Sequence, residues 1–118
     1  MEILFRTEEH EAHYGEILSK MKSQDCYHRA IAYLFALDDC CYEHLDLLFD
    51  FKDDGIIVDG VNGGWHTGSS KRTVRLAFNL WNDYIDKDRP LNSTPSELFS
   101  GSFMEYYFIA IALRFERL

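Results

Sequence analysis

Residues 23–37 of the chain read SQDCYHRAIAYLFAL, and this stretch decides the fold. Ser23 or Asp25 can cap the start of a helix, because either side chain can accept a hydrogen bond from a backbone N–H of the first turn. The apolar residues that follow lie on nearly every side of a helical wheel: Tyr27, Ala30, Ile31, Tyr33, Leu34, Phe35 and Leu37. A helix that is apolar all round is normally buried, so we expect this one at the centre of the molecule.

Helical patterns lie on both sides of this stretch. Before it, a helix over residues 8–22 begins after the capping residue Thr7. After it, a break near Asp38 precedes CCYEHLDLLFDF, residues 40–51, whose leucines share one face and whose acids share another. This segment predicts a third, amphipathic helix with an acidic outer side.

The second half of the chain predicts three more helices. The pattern from residue 70 to about residue 85 is a clear apolar stripe. Thr94, Pro95 and Glu97 form the signature of a capping box, which predicts a short helix that ends near Gly101. Residues 103–115 are apolar on almost all sides. We therefore predict an all-α fold, a compact bundle of about six helices that forms a single domain over residues 1–118.

One segment interrupts the helical patterns between the third and fourth helices. It reads GIIVDGVNGGW, residues 55–65, and it contains too many glycines for a helix. Asp59 followed by Gly60 suits the positive φ angles of a tight turn. The sequence predicts a Gly-rich loop here, with a short hairpin that turns at Asp59 and Gly60.

The composition limits the classes of function. Among 118 residues, 20 Asp and Glu against 12 Lys and Arg give a formal charge of −8. This charge repels nucleic acid and anionic lipid, so no direct contact with nucleic acid is predicted. The N-terminal residues show no basic leader, and the longest apolar run, residues 106–113, is far shorter than the ~20 residues of a membrane helix. We expect a cytoplasmic protein outside the membrane, with its three cysteines reduced.

The stretch GGWHTGSSKR, residues 63–72, resembles a phosphate-binding loop only in part. Gly63 and Gly68 have the spacing of a P-loop, but Ser69 stands where the motif needs its lysine, and Lys71 is displaced by two positions. A looser anion site remains open, because free backbone N–H groups and basic side chains meet at the start of the next helix. The residues of this candidate ligand site are Trp65, His66, Ser69, Ser70, Lys71, Arg72, Arg75 and Asn79.

A purely structural interpretation of the same residues also stays open. In it, Ser69 or Ser70 only caps the helix, and acids such as Glu43 and Asp46 pair with the basic residues. Trp65 would then fold back as a lid on the core.

Patterns for metal binding and catalysis are weak. His10 with His13, and the cysteines and histidine of CCYEH at residues 40–44, lack the paired spacing of a zinc site. The acidic segment after residue 49 has Lys52 and Val61 where a calcium loop needs oxygen ligands. We predict no catalytic residues, no metal and no cofactor.

Two features favour contacts with proteins. Acids along the third helix and its exit can imitate nucleic-acid charge towards a basic host protein, and they are Glu43, Asp46, Asp50, Asp53 and Asp54. Three helical segments are apolar on more than one side, which one small domain can hardly enclose, so a homodimer is predicted. The last helix supplies its aromatic contacts: Tyr106, Tyr107, Phe108 and Phe115.

The chain resembles a family of small acidic domains of unknown function from Gram-positive bacteria and their mobile elements, in the stretches KMKSQDCYHRAIAYLFALD, LFDF, GWHTGSSKRTVRLAFNLWNDY and ELFSGSFMEYYFIAIALRF. The resemblance implies a bacterial protein of a mobile element and gives no residue a role. Together with the acidic residues of the third helix and its exit, the resemblance favours a non-enzymatic interaction factor. Such a factor could be an anti-defence (anti-CRISPR-like) inhibitor of a basic host protein. The alternative is a regulator or hydrolase that binds a nucleotide or other phosphate-bearing small ligand at the Gly-rich loop.

Overall fold

The computed structural model describes residues 2–118. Within these residues there are six α helices: α1 (Glu8–Lys20), α2 (Cys26–Leu37), α3 (Asp39–Glu43), α4 (Gly68–Asn82), α5 (Pro95–Leu98) and α6 (Met104–Arg114). Two short antiparallel strands, β1 (Phe49–Asp50) and β2 (Gly55–Ile56), pair between α3 and α4. Short 3₁₀ turns occupy Leu45–Leu47, Val58–Asn62 and Pro90–Ser93. The predicted helical bundle with a hairpin between its third and fourth helices is confirmed.

Helix α2 is the centre of the bundle, as its sequence predicts. Asp25 is the capping residue, since its carboxylate accepts the backbone N–H of His28 at 3.0 Å. Residues 30–37 are each at most 1% exposed, and α1, α3, α4 and α6 all pack against this helix. Burial on every side explains why the segment needs apolar residues all round.

Helix α1 begins where predicted and ends two residues earlier. The Thr7 side chain accepts the backbone N–H of His10, and the helix stops at Lys20. The His10 ring is buried against α2, where Nε2 lies 3.0 Å from the Tyr33 carbonyl oxygen and Nδ1 accepts the backbone N–H of Arg6. These two bonds require the neutral ring with its proton on Nε2. Burial lowers the pKa of His10 to about 4, although the bond to the Tyr33 carbonyl opposes that shift.

The third helix is shorter than predicted, and the hairpin turns elsewhere. Helix α3 ends at Glu43, and the helix predicted over residues 40–51 is wrong beyond that point. The Asp50 carboxylate accepts the backbone N–H groups of Lys52 and Asp53, and this local turn competes with helix formation. Asp54 takes a left-handed conformation (φ 56°) at the end of the turn.

Asp59 and Gly60 do not form the turn of the hairpin, so this prediction is wrong. Both lie in the 3₁₀ turn Val58–Asn62 that follows β2. Gly60 lies so close to the preceding segment that a Cβ added there would be 2.3 Å from the Leu47 carbonyl oxygen. The glycine at this position therefore serves close packing against the Leu45–Leu47 turn rather than a positive φ angle.

Helix α4 begins earlier than predicted, at Gly68. Its N-cap is Thr67, and Ser70 completes a capping box by accepting the Thr67 backbone N–H, so neither Ser69 nor Ser70 is the N-cap. The helix ends at Asn82, and the left-handed conformation of its C-cap Asp83 (φ 64°) reverses the chain. This reversal brings the residues after Asp83 back along α4.

Helix α5 begins at Pro95 after Thr94, as predicted, but it lacks the capping-box bonds. The Thr94 hydroxyl donates to the Leu91 carbonyl oxygen, and no side-chain bond caps this helix. The helix ends at Leu98, and turns continue through Gly101.

Helix α6 packs with one side only. Tyr107, Ala110 and Leu113 are buried against α2 and α4, and the Tyr107 hydroxyl lies 2.7 Å from the Thr73 hydroxyl of α4. Arg114 adds a second tie, because its Nε donates to the Leu80 carbonyl oxygen at 2.8 Å. None of the helices described between residues 2 and 118 has the length and apolar character to span a membrane.

Candidate functional site

The Gly-rich loop forms a helix start in which the polar side chains of His66, Ser69 and Ser70 are already bonded within the protein. His66 Nε2 lies 2.7 Å from the Gly60 carbonyl oxygen, and its Nδ1 lies 2.8 Å from the Ser70 hydroxyl. Burial lowers the pKa of His66 and so favours the neutral ring, which can donate from Nε2 to the Gly60 carbonyl oxygen. Ser70 is fully buried, and the Ser69 hydroxyl donates to the Asp38 carboxylate at 2.9 Å. A phosphate could reach these side chains only if the cap opened.

Trp65 folds back onto the loop. Its indole stacks between the rings of His44 and His66, with centroid distances of 4.2 Å and 3.7 Å. The indole nitrogen also covers Gly63 so closely that a Cβ there would be 2.2 Å away. Trp65 therefore takes the lid position that the structural interpretation gives it.

The basic residues of α4 separate into two groups. The Arg72 guanidinium packs against Gly101, where an added Cβ would be 2.8 Å from Nε. Lys71 and Arg75 instead line a cleft that Arg72 does not line. Asn79 Nδ2 donates to the Tyr84 carbonyl oxygen and so holds the reversed chain. Of the predicted ligand site, Asn79 lines a different cavity, whereas Lys71 and Arg75 line one cavity together.

That cavity is a cleft of about 670 Å³ between α4 and the chain that returns after Asp83. Arg75 Nε donates to the Asp86 carboxylate at 3.2 Å, so the predicted pairing with Glu43 or Asp46 is wrong for this residue. We call this cavity the basic cleft, and it is lined by Val58, Asn62, Lys71, Arg75, Tyr84, Asp86, Lys87, Asp88, Arg89 and Asn92.

Sequence reasoning missed the second wall of the basic cleft. Residues 86–89 read DKDR, and this run of charges directly after a helix was the available signal. The contact between Arg75 and Asp86 depends on the left-handed turn at Asp83, and hydrophobic periodicity does not predict such a turn.

The predicted acidic residues do not lie along one helix. Glu43, Asp46 and Asp53 are exposed, and we call these three the acidic patch. Asp50 closes the hairpin turn, and Asp54 binds His28 Nε2 at 2.7 Å. The latter two carboxylates therefore have internal partners that the sequence does not reveal.

His28 connects this hairpin to the start of α2. It is 4% exposed, and its ring nitrogens lie 2.7 Å from carboxylate oxygens of Asp25 and Asp54. Burial disfavours the charged ring, but the hydrogen bonds to the two carboxylates outweigh burial and raise the pKa of His28. A protonated ring can donate to both partners at once, whereas a neutral ring can donate to only one.

The predicted dimer residues of α6 lie on different sides of the helix. Tyr107 is 1% exposed and belongs to the core, and Tyr106 is half-buried. Phe108 and Phe115 are 53% and 55% exposed, and they share one side with Met104 and Ile111 at helical spacings of four, three and four. We call Met104, Phe108, Ile111 and Phe115 the apolar face of α6.

The predicted histidine and cysteine pairs show no grouping for metal or catalysis in the described part of the chain. No set of three or more metal-binding side chains converges within residues 2–118. His13 stacks on Tyr42 with a centroid distance of 3.6 Å, and all three cysteines are free. Burial, helped by the Asp38 charge, raises the pKa of the Cys41 thiol, which keeps it in the unreactive protonated form.

Comparison with known proteins identifies the family. No curated protein and no solved structure matches the chain. A family described as a family of unknown function, DUF6075, matches residues 1–118, which confirms the predicted resemblance to a family of that kind. The chain belongs to the DUF6075 family.

Proposed function

We propose that this protein is a non-enzymatic interaction factor that pairs with a second copy of itself and binds a basic host protein. The observation that carries the proposal is the apolar face of α6, which the rest of the bundle covers only in part. Met104, Phe108 and Phe115 are each 45% to 55% exposed on that face. Large apolar side chains grouped on one helix side are typical of surfaces that bind other proteins.

The size of the apolar face supports pairing. An aromatic side chain offers ~200 Å² of surface, so the half-exposed rings of Phe108 and Phe115 together leave about 200 Å² in water. Covering this area would contribute roughly 5 kcal/mol per copy before the costs of association. A two-fold pairing covers the same face on both copies at once, which is why we place the homodimer contact there.

The acidic patch is the proposed contact for the host protein. Glu43, Asp46 and Asp53 are exposed, and the chain carries a formal charge of −8. Complementary charge steers a basic partner to such a surface. With the resemblance to proteins of mobile elements, this supports an anti-defence factor that acts in the cytoplasm of a bacterium, where free thiols such as its three cysteines persist.

The test of the host contact is charge reversal in the acidic patch. We expect a triple variant of Glu43→Lys, Asp46→Lys and Asp53→Lys to lose a basic partner captured by the wild type from bacterial extract, with slower association at low salt and little difference at high salt. The matched control reverses Glu9, Glu11 and Glu97, which are also exposed acids and lie outside α6. Equal capture by the two triple variants would remove the acidic patch from the proposal.

The test of the pairing uses tagged and untagged copies of the full chain. The tagged protein is expected to retain the untagged one, and Phe108→Glu with Phe115→Glu in both copies should abolish this retention. Leu91→Glu is the control, because Leu91 is the most exposed of the large apolar residues described (76%) and lies outside α6. Retention that survives in the double variant would place the contact elsewhere.

A second candidate function is favoured by the basic cleft. Four basic side chains line one cavity in a chain with an excess of acids. This arrangement supports a regulator or hydrolase that binds a nucleotide or another phosphate-bearing small ligand, without its predicted centre at Trp65 and His66.

A further inference from the structure

We propose that the basic cleft binds a phosphomonoester of nucleotide size, with its phosphate group held between Arg75 and Lys71 of α4 and the basic residues Lys87 and Arg89 of the returning chain. This inference deepens the second candidate function and is independent of the pairing through α6. Four observations carry it: the charge of the lining, the fixation of Arg75, the arrangement of the other basic groups and the size of the cleft.

The charge of the lining is opposite to that of the chain. Four basic residues and two carboxylates, Asp86 and Asp88, line the cleft, which leaves a local excess of two positive charges in a molecule of formal charge −8. A phosphomonoester carries about −1.5 to −2 at pH 7 and so matches this excess, whereas a monocarboxylate would neutralise about half of it. Walls of low dielectric strengthen the attraction inside a cleft.

Arg75 is held in place before any ligand arrives. Its side chain is 12% exposed, and its Nε donates to one oxygen of Asp86, whose other oxygen accepts the Tyr84 hydroxyl at 2.9 Å. Burial, together with this bond, raises the pKa of Tyr84 to about 12, so its hydroxyl remains a donor to Asp86 at neutral pH. A guanidinium whose orientation is fixed loses little freedom when it binds an oxyanion.

The terminal nitrogens of Arg75 are left for a ligand. Within residues 2–118 neither Nη group donates a hydrogen bond to the protein, and neither is a fully buried atom without a partner. A buried charged group normally has its donors satisfied, so donors that reach only the solvent of a cleft are suited to bind phosphate oxygens. Arginine is the side chain whose planar fork matches two phosphate oxygens at once.

The remaining basic groups lie on both sides of Arg75. Lys71 lies one helical turn earlier on the same side of α4, and it is half-buried at the cleft wall. Lys87 and Arg89 are exposed on the returning chain and line the opposite side. A phosphate group between these walls would meet positive charge from two separate elements, as a specific anion site requires.

The volume indicates a ligand larger than the phosphate itself. About 670 Å³ falls within the roughly 300–1,000 Å³ range of sites that hold cofactor-sized molecules. The side-chain amides of Asn62 and Asn92 also line the cleft and offer both donors and acceptors to the rest of such a ligand.

Calorimetric titration of the full chain at low salt tests the proposal with four probes: adenosine monophosphate, ribose 5-phosphate, inorganic phosphate and adenosine. We expect the monophosphate to bind more tightly than inorganic phosphate and adenosine not to bind. Binding of adenosine comparable to that of its monophosphate would overturn phosphate recognition. Equal affinity for inorganic phosphate and both larger phosphates would overturn the assignment of a nucleotide-sized ligand.

Variants that are expected to change the affinity in opposite directions make the test specific to this cleft. Lys87→Ala with Arg89→Ala removes two exposed groups and should weaken monophosphate binding at least tenfold, while Asp88→Asn removes a competing charge that does not hold Arg75 and should strengthen it severalfold. Arg75→Gln should abolish binding, and a melting curve checks that this variant still folds. Lys20→Ala with Lys22→Ala is the matched control at exposed lysines outside the cleft and should bind as the wild type does.

Unchanged affinity in the Lys87 and Arg89 variant, or no heat with any phosphate at millimolar concentration, would overturn the proposal. Self-association is measured on the same samples and should be the same in all these variants. Failure of phosphate binding with intact pairing would reject the cleft alone, and failure of pairing with intact phosphate binding would reject the interaction proposal alone.

Discussion

Helices α2 and α6 have similarly apolar sequences and opposite surroundings. Residues 30–37 of α2 are at most 1% exposed, whereas Phe108 and Phe115 of the α6 region are more than half exposed. Helix α2 packs against α1, α3, α4 and α6, while α6 packs mainly against α2 and α4. An apolar helix is enclosed only when its neighbours suffice to cover it. The exposed side of α6, and not its apolar composition, is therefore what supports the proposed pairing.

The largest expected effect is on the free energy of unfolding when one side chain in each helix is shortened to alanine. Leu34→Ala in α2 should lower the free energy of unfolding by about 3 kcal/mol, because it leaves a cavity in a fully enclosed site. Phe108→Ala should cost less, about 1–2 kcal/mol, because roughly half of the ring is already in water. Urea unfolding at a concentration below self-association measures both values, and equal losses would show that α6 is as enclosed as α2.

The next effect is the loss of stability at low pH through His10, which joins α1 to α2. The folded pKa of His10 is lowered to about 4 from an unfolded value of 6.5, so the folded state binds fewer protons than the unfolded state between these values. The stability is therefore complete above pH 6.5 and should fall by about 2–3 kcal/mol as the pH drops towards 4.

Urea titrations at several pH values measure this loss, and His10→Asn serves as the control. The variant lacks the titrating ring, so its free energy of unfolding should not show this fall between pH 6.5 and 4. This holds even if the variant is less stable than the wild type at neutral pH. A wild-type stability that does not change between pH 6.5 and 4 would contradict the neutral, buried His10.

A smaller effect of opposite sign is expected at the start of α2. The folded pKa of His28 is raised by Asp25 and Asp54 against the effect of burial, so its contribution is fully present below pH 6.5 and is lost as the pH rises through the folded pKa. Asp54→Asn should remove about 1 kcal/mol of stability at pH 6 and less at pH 9. Amide protection factors of residues 49–56 in the wild type and in Asp54→Asn report the hairpin directly, and an equal loss of protection at pH 6 and pH 9 would contradict the role of His28.

The smallest effect concerns a contact that joins the two helices. The Arg114 guanidinium of α6 lies 3.7 Å from the ring centroid of Tyr27 of α2. Arg114→Lys keeps the charge but loses the planar stacking and the Nε hydrogen bond to the Leu80 carbonyl oxygen, so we expect a loss of about 0.5–1 kcal/mol. Thermal melting of this variant beside Arg117→Lys, an exposed arginine outside α6, measures the difference, and identical melting temperatures would show that the contact is energetically neutral.

Local signals in the sequence predicted the elements that local interactions determine. Thr7, Asp25 and Pro95 start α1, α2 and α5 because a cap or a fixed φ angle acts within one turn. The third helix was mispredicted because the Asp50 carboxylate stabilises a turn that competes with an amphipathic pattern.

Long-range placement could not be predicted from the sequence. Tyr107 and Phe108 are adjacent aromatic residues, and only the packing of α6 on α4 decides that the first is buried and the second exposed. The pairing of Arg75 with Asp86 depends on the reversal of the chain at Asp83. For this reason the predicted ligand site contained Lys71 and Arg75 but not the opposite wall of the basic cleft.

The most direct test of the central claim is the molar mass of the full chain, measured by light scattering coupled to size exclusion over a range of micromolar concentrations. We predict a mass that rises with concentration towards twice the 13.9 kDa of one chain, and a Phe108→Glu variant that stays at the mass of one chain throughout. A wild-type mass of 13.9 kDa at every concentration, or a dimer that Phe108→Glu leaves intact, would contradict the claim that the apolar face of α6 pairs with a second copy.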